Sequence, residues 1–211
     1  MTRDIQRSER FIITLNKVDL VTLSGVLTSS LAVAAALSGS IYLCTSLLFL
    51  AMLGDALDGI LARKYKLERP FGRYLDGFMD ILIYLVAPTL ALYIHGFNGL
   101  WVIALWSVLI CGSIRLSVFN DIGNIQESNG LAYLGMPVFW SVFILGGFLL
   151  LELLLPQWLV YSLLSVSLCA FSYAMIIRRP FFKFKKLSHI LTLTIGNSLL
   201  FLVLHLSLQH A

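Results

Sequence analysis

The sequence predicts an all-α integral membrane protein, a bundle of about six or seven transmembrane helices with a cytoplasmic N-terminus. Of its 211 residues, 59% are hydrophobic and only 12% charged, where a soluble domain carries about 25% charged residues. The mean hydropathy is +0.90. Apolar stretches of roughly 20 residues, the length a helix needs to cross a bilayer, recur along the chain. The basic residues, finally, cluster in a few places that alternate with those stretches.

Seven spans follow in order. The first, 18–37, comes after a polar and charged N-terminal arm (residues 1–17) whose opening residues lack the pattern of a cleavable signal sequence. Ser38-Gly39-Ser40 connects it to the second span, 41–63. The third, 72–94, turns through Gly96-Phe97-Asn98-Gly99 into the fourth, 100–119. The fifth, 134–155, meets the sixth, 158–177, at Pro156-Gln157, and 188–208 is the seventh. No internal repeat or low-complexity segment interrupts them, so residues 1–211 read as a single transmembrane domain.

All 15 Lys and Arg residues fall on one side if these spans alternate. Arg3, Arg7, Arg10 and Lys17 lie in the arm. Arg63, Lys64, Lys66, Arg69 and Arg73 lie between spans 2 and 3. Arg115 closes span 4, and Arg178, Arg179, Lys183, Lys185 and Lys186 follow span 6. Basic flanks mark the cytoplasmic face of a cell or inner membrane. The net charge of +4 therefore reads as topology and contact with membrane lipid, with no nucleic-acid partner. Phe181, Phe182 and Phe184 among the last bases suggest an interfacial segment on anionic lipid. Cys44, Cys111 and Cys169 lack CxxC spacing and are expected to be buried packing residues.

Four acids stand out against this background. An ionised carboxylate in a bilayer costs a few kcal/mol or more and usually marks a site. Asp55 and Asp58 lie i, i+3 on span 2; Asp76 and Asp80 lie i, i+4 on span 3, so each pair projects from one helical face. With Arg63 and Arg73 at the interface, the helical rise puts Asp58 and Asp55 roughly 7 and 12 Å deep, and Asp76 and Asp80 roughly 4 and 10 Å deep. The pairs can meet. Ion pairing with Arg63 and Arg73 is the structural alternative, but two bases cannot neutralise four acids. Hard oxygen ligands without a nearby His or Cys point to Mg²⁺ or Mn²⁺. Gly54, Gly59, Ala62 and Gly72 are small enough for close helix packing or for a flat base against the backbone. Arg63 is placed to meet a diphosphate.

Together these residues read Asp55-x2-Asp58-Gly59-x2-Ala62-Arg63-x8-Gly72-x3-Asp76-x3-Asp80. This resembles the signature of the CDP-alcohol phosphotransferases at every fixed position, across residues 55–80. The resemblance implies transfer of a phosphatidyl-type group from a CDP-lipid, such as CDP-diacylglycerol, to a small soluble alcohol, with release of CMP. It implies two divalent ions on Asp55, Asp58, Asp76 and Asp80, with Asp80 also the general base. Gly59, Ala62, Arg63 and Gly72 would join Asp55 and Asp58 in binding the CDP-lipid. Thr22 looks like the threonine that members carry near the start of their first span. A homodimer is implied as well.

For the acceptor, residues 113–120 look like a Leu-Arg-Leu-Ala-Arg-Phe-Asn segment of the phosphatidylserine synthases, and Gly135-Met136-Pro137 resembles their Gly-Leu-Pro. In this chain Ser117-Val118 replaces Ala-Arg, Asp76-Gly77 stands for Asp-Ser, and Ile83-Tyr84 for Ser-Phe. The resemblance covers roughly 15–186 and favours serine. Glycerol 3-phosphate, inositol phosphate, choline and ethanolamine are the other acceptors of the same chemistry. Arg115 is either a cytoplasmic anchor or the partner of an acceptor carboxylate or lipid phosphate. Asn120 is either a helix C-terminal residue or an acceptor ligand. A divalent-cation transporter is the alternative from another class. The apolar outer halves of spans 2 and 3 speak against it.

Overall fold

The computed structural model of the protein describes residues 12–123, 125–127, 130–181 and 187–209. Most of the N-terminal arm and the stretch 182–186, on which part of the proposed lipid-facing segment falls, lie outside them. Among the described residues six helical spans are long and apolar enough to cross a membrane: Lys17–Leu37, Ile41–Tyr65, Pro70–Ile94, Gly99–Ile122, Gln157–Ile176 and Ser188–Leu208. The expected all-α bundle is observed.

Helix α1 (Lys17–Leu37) starts where Asn16 can cap it. The Asn16 side chain accepts from the backbone N–H of Val18 (2.8 Å) and Asp19 (2.9 Å), and Asp19 Oδ2 accepts from the Asn16 N–H at 2.7 Å. Both sides of a capping box are thus present. Helix α2 (Ile41–Tyr65) packs along α1 on one side and α8 (Leu187–Gln209) on the other. Ser46 and Ser198 join α2 to α8 reciprocally, each hydroxyl donating to the other's carbonyl, at 2.8 and 3.0 Å. Phe49 and Phe201 stack beside them at 5.9 Å, with Gly146 making room.

The third span is one continuous rod of three parts, α3 (Pro70–Asp80), a π-helical turn (Ile81–Val86) and α4 (Ala87–Ile94). The Ala87 N–H donates to Leu82 O, five residues back. Pro88 explains the widening. It has no N–H to offer the carbonyl of Tyr84, and its ring crowds that carbonyl, so the preceding turn cannot close as an α-turn. Next, a short 3₁₀ turn (Gly99–Trp101) leads into α5 (Val102–Ile122), which packs on α7 (Gln157–Ile176). A Ser107–Ser172 hydroxyl contact of 2.9 Å ties α5 to α7.

Helix α6 (Trp140–Glu152) corrects the fifth predicted span. That span was expected to be helical over 134–155, but the helix has 13 residues, a length of roughly 20 Å. The preceding residues are held in strands instead. β1 (Ile125–Glu127), β2 (Gly130–Leu134) and β3 (Pro180–Phe181) form a small antiparallel sheet in the order β1-β2-β3. Gly135 then adopts φ +75° and donates to Arg179 O at 2.9 Å, while the Met136 N–H donates to Ala174 O at 2.9 Å. Backbone pairing with the end of α7 has taken the place of a helical turn. At the opposite end of the bundle, His95 and Glu152 contact one another at 2.7 Å and join α4 to α6. Of the three cysteines only Cys44 is buried; Cys111 is half-buried, and Cys169 lies exposed on the outer surface of α7. In a bilayer an apolar side chain can face lipid, so burial did not follow from apolar character.

Candidate active site

The two acidic pairs meet because α2 and the third span run antiparallel around the bend at residues 66–69. Asp55, Asp76 and Asp80 each bring a carboxylate oxygen to within 4.8 Å of the others, and all three are half-buried. Asp58, one turn from Asp55, stands apart from this trio and lines a cavity next to Asp76. It is 3% exposed, and its Oδ2 has no hydrogen-bond partner among the described residues.

The cavity has a volume of about 470 Å³ and lies at the basic end of the bundle. Its walls include Thr22 of α1, Asp58, Gly59, Ala62 and Arg63 of α2, and Gly72 and Asp76 of α3. Every residue expected to bind the CDP-lipid is therefore in the cavity wall, except Asp55, which lies in the adjoining trio. The Thr22 hydroxyl donates to Val18 O at 3.2 Å and sits beside the Asp58 carboxylate. The alternative of structural ion pairs does not hold. Among the described residues neither Arg63 nor Arg73 makes an ion pair with any of the four acids.

These residues fit a hard divalent cation. Three carboxylates gathered at this spacing repel one another, and a buried carboxylate oxygen without a donor is costly. A cation relieves both, and carboxylate oxygens are the ligands Mg²⁺ or Mn²⁺ takes.

Sequence reasoning missed Asp19. It is 2% exposed, lines the cavity, and is ion-paired with Arg69, which also donates to Thr14 O at 3.1 Å. This pair straps the α2–α3 bend to the start of α1 and so closes one wall. The available signal was the Asn16-x2-Asp19 capping pattern, which marks a helix start and gives no hint of a partner 50 residues away.

The two expected acceptor residues do not share one wall. Asn120 lines the cavity and presses its amide on Gly77, where any Cβ would collide with it. The helix continues past Asn120 to Ile122 and is capped by Gly123 at φ +75°. Asn120 is thus a residue of the final turns, as the structural alternative had it, and its side chain still reaches the site. Arg115 lies deeper and is 5% exposed. Its guanidinium sits over the rings of Phe119 (5.0 Å) and Tyr133 (5.6 Å) and within electrostatic reach of Asp80. Among the described residues its Nε has no hydrogen-bond partner. Burial rules out the simple interfacial anchor, whose charge would reach water. Tyr133, from β2, is a further residue the sequence did not signal. Burial pushes its phenol up to about 12, with Arg115 pulling the other way, so it is a neutral hydroxyl at physiological pH.

Residues 15–176 match the family model of the CDP-alcohol phosphatidyltransferases. The chain belongs to that family. It is therefore a phosphatidyl-transferring enzyme of phospholipid biosynthesis and, with its six long apolar helices, a multi-pass integral membrane protein. Among curated proteins it is similar to a CDP-diacylglycerol–serine O-phosphatidyltransferase of Bacillus subtilis (strain 168), 31% identical over 79% of this chain and 90% of that protein. A protein of the same description from Methanocaldococcus jannaschii is 31% identical over 75% of this chain and 70% of its own length. A phosphatidylcholine synthase of Brucella melitensis is 33% identical over 59% of this chain and 46% of that protein. Family membership decides for the enzyme over the cation transporter. The matched region ends with α7 and leaves α8 outside it.

Proposed function

We propose that this enzyme transfers the phosphatidyl group of CDP-diacylglycerol, or a related CDP-lipid, to the hydroxyl of serine and releases CMP. The observation that carries the choice of acceptor is Arg115, a buried guanidinium with an unpartnered Nε, set over two adjacent aromatic rings and within electrostatic reach of Asp80. A buried cation of this kind calls for an anion, and a planar guanidinium suits a carboxylate. Serine brings one. Choline would bring a second cation. The similarity to serine-directed relatives over most of the chain supports the same choice.

In the proposed reaction the serine oxygen bonds to the phosphorus that carries the diacylglycerol, and the bond from that phosphorus to the oxygen bridging to CMP breaks. CMP leaves with the bridging oxygen. Asp80 accepts the hydroxyl proton. Gly59, Ala62 and Gly72 leave the cavity wall flat for the cytidine, Thr22 borders it, and Arg63 meets the diphosphate. The cavity volume of about 470 Å³ lies within the usual range of small-molecule sites. Asp55, Asp58, Asp76 and Asp80 would hold two Mg²⁺ or Mn²⁺ ions, which when bound offset the diphosphate charge and its increase in the transition state. Asn120 borders the acceptor. The active site faces the cytoplasm, and the protein works as a homodimer.

The test is CMP release from CDP-diacylglycerol by the purified protein with Mg²⁺ or Mn²⁺, across serine, choline, ethanolamine, glycerol 3-phosphate and inositol phosphate. Serine is expected to support turnover, and Arg115→Ala to raise its KM tenfold or more, on the order of one lost charge-assisted hydrogen bond. Asp80→Asn should abolish turnover while leaving CDP-lipid binding largely intact. Turnover with choline and none with serine would overturn the acceptor, and an active Asp80→Asn variant would overturn the base.

A further inference from the structure

The π-helical turn of the third span delivers a phenol to the acidic trio. Tyr84 lies in that turn, is 2% exposed, and donates its hydroxyl to Asp55 Oδ2 at 2.6 Å. Its two neighbours lock the turn in place. A Cβ on Gly25 of α1 would meet the Ile83 side chain at 3.1 Å, and a Cβ on Gly112 of α5 would collide with Leu85. Ile83 and Leu85 therefore fit into gaps left by glycines on two different helices, and Tyr84 between them is aimed at a third, α2. An α-helical turn would rotate these three side chains out of that register. Pro88 is what keeps the turn wide.

We propose that Tyr84 is a positioning residue of the enzyme, holding Asp55 for the divalent cation that Asp55, Asp76 and Asp80 share. The inference rests on the metal reading given above. A carboxylate has about four lone-pair sites. The phenol occupies one and fixes the plane of the group, so the remaining oxygen sites keep a constant aim at the centre of the trio. Groups that hydrogen-bond a metal ligand from behind orient it, and their loss typically weakens metal binding about 10–100-fold. The proline-widened turn is thus a device for setting one ligand on a neighbouring helix.

Mn²⁺ binding to the full-length protein in detergent, followed by the electron paramagnetic resonance signal of free Mn²⁺ without substrate, tests this directly. Tyr84→Phe keeps the ring and removes only the hydroxyl. Its Mn²⁺ Kd should rise about tenfold or more, and activity lost at low Mn²⁺ should return at high Mn²⁺ with the KM for CDP-lipid unchanged. In an Asp55→Asn background Tyr84→Phe should cause no further loss, because the pair acts as one unit. A wild-type Kd in folded Tyr84→Phe would overturn the proposal while a weakened Asp55→Asn leaves the metal site standing. An additional loss from Tyr84→Phe on top of Asp55→Asn would also overturn it, since the phenol would then act through something other than Asp55. A wild-type protein that binds no Mn²⁺ would overturn the metal reading and this inference together.

Discussion

At the scale of single residues the site depends on side chains that the sequence could name and on contacts it could not. The four aspartates are legible because an acid in an apolar span has few explanations, and their i, i+3 and i, i+4 spacing fixes a shared face. What the sequence does not contain is which acids converge. Asp55, Asp76 and Asp80 form the trio, and Asp58 turns toward the cavity. Gly77 shows the same limit. Its neighbour on the opposing helix, the Asn120 amide, is 43 positions away along the chain and visible only in the fold. Any side chain at 77 would strike that amide. Gly77→Ala is accordingly expected to rotate Asn120 out of place and lower kcat/KM for the acceptor by about tenfold, while leaving CDP-lipid KM near its original value. Steady-state kinetics with each substrate varied in turn checks this. Asn120→Ala should produce a similar loss, and the double variant should be no worse than the worse single, because both changes remove one interaction.

At the scale of elements the hydrophobic pattern located six of the seven predicted spans to within a few residues. It failed at the fifth because length and apolarity cannot distinguish a helix from backbone that pairs elsewhere. Gly135-Met136-Pro137 was the local signal, and its meaning lies in a contact with α7. The Gly135 N–H reaches Arg179 O, and a Cβ at 135 would collide with the Met175 carbonyl. Both the positive φ and the close backbone approach exclude other residues. Gly135→Ala should therefore cost about 1–3 kcal/mol for the conformation alone, with more from the collision, since backbone cannot move aside as a side chain can. A lower thermal midpoint in detergent is the expected result. Because β2 carries Tyr133 against Arg115, activity at a temperature where the variant stays folded should fall as well. Pro88 was the corresponding signal inside the third span. The sequence places a proline there but cannot say that the strain is absorbed as a π-turn rather than a kink.

At the scale of the whole molecule, charge and cavity lie together. Arg63, Arg69 and Arg73 line the cavity, and Lys17, Arg178 and Arg179 border the helix ends at the same pole of the bundle. The opposite pole, with His95, Glu152 and the Phe97–Trp101–Tyr161 ring cluster, has no Lys or Arg among the described residues. Basic flanks generally lie on the inside of a membrane, and under the cytoplasmic orientation proposed above the cavity mouth is on the side where a soluble acceptor and a membrane-bound CDP-lipid can both reach the acids. In that proposal topology and chemistry share a residue, since Arg63 belongs to the basic pole and is also the residue assigned to the diphosphate. The arrangement makes a definite expectation for a chain whose three native cysteines have been replaced. A membrane-impermeant maleimide should label Asn98→Cys in intact cells, and should label Lys66→Cys only once the membrane is opened. Labelling in the reverse order would place the basic pole outside. Substituting the bases around the α2–α3 bend one at a time should leave the labelling unchanged, because orientation sums over several separate groups of charge. The Arg63 substitution in that series should still lose activity, because the proposed diphosphate contact has no such redundancy.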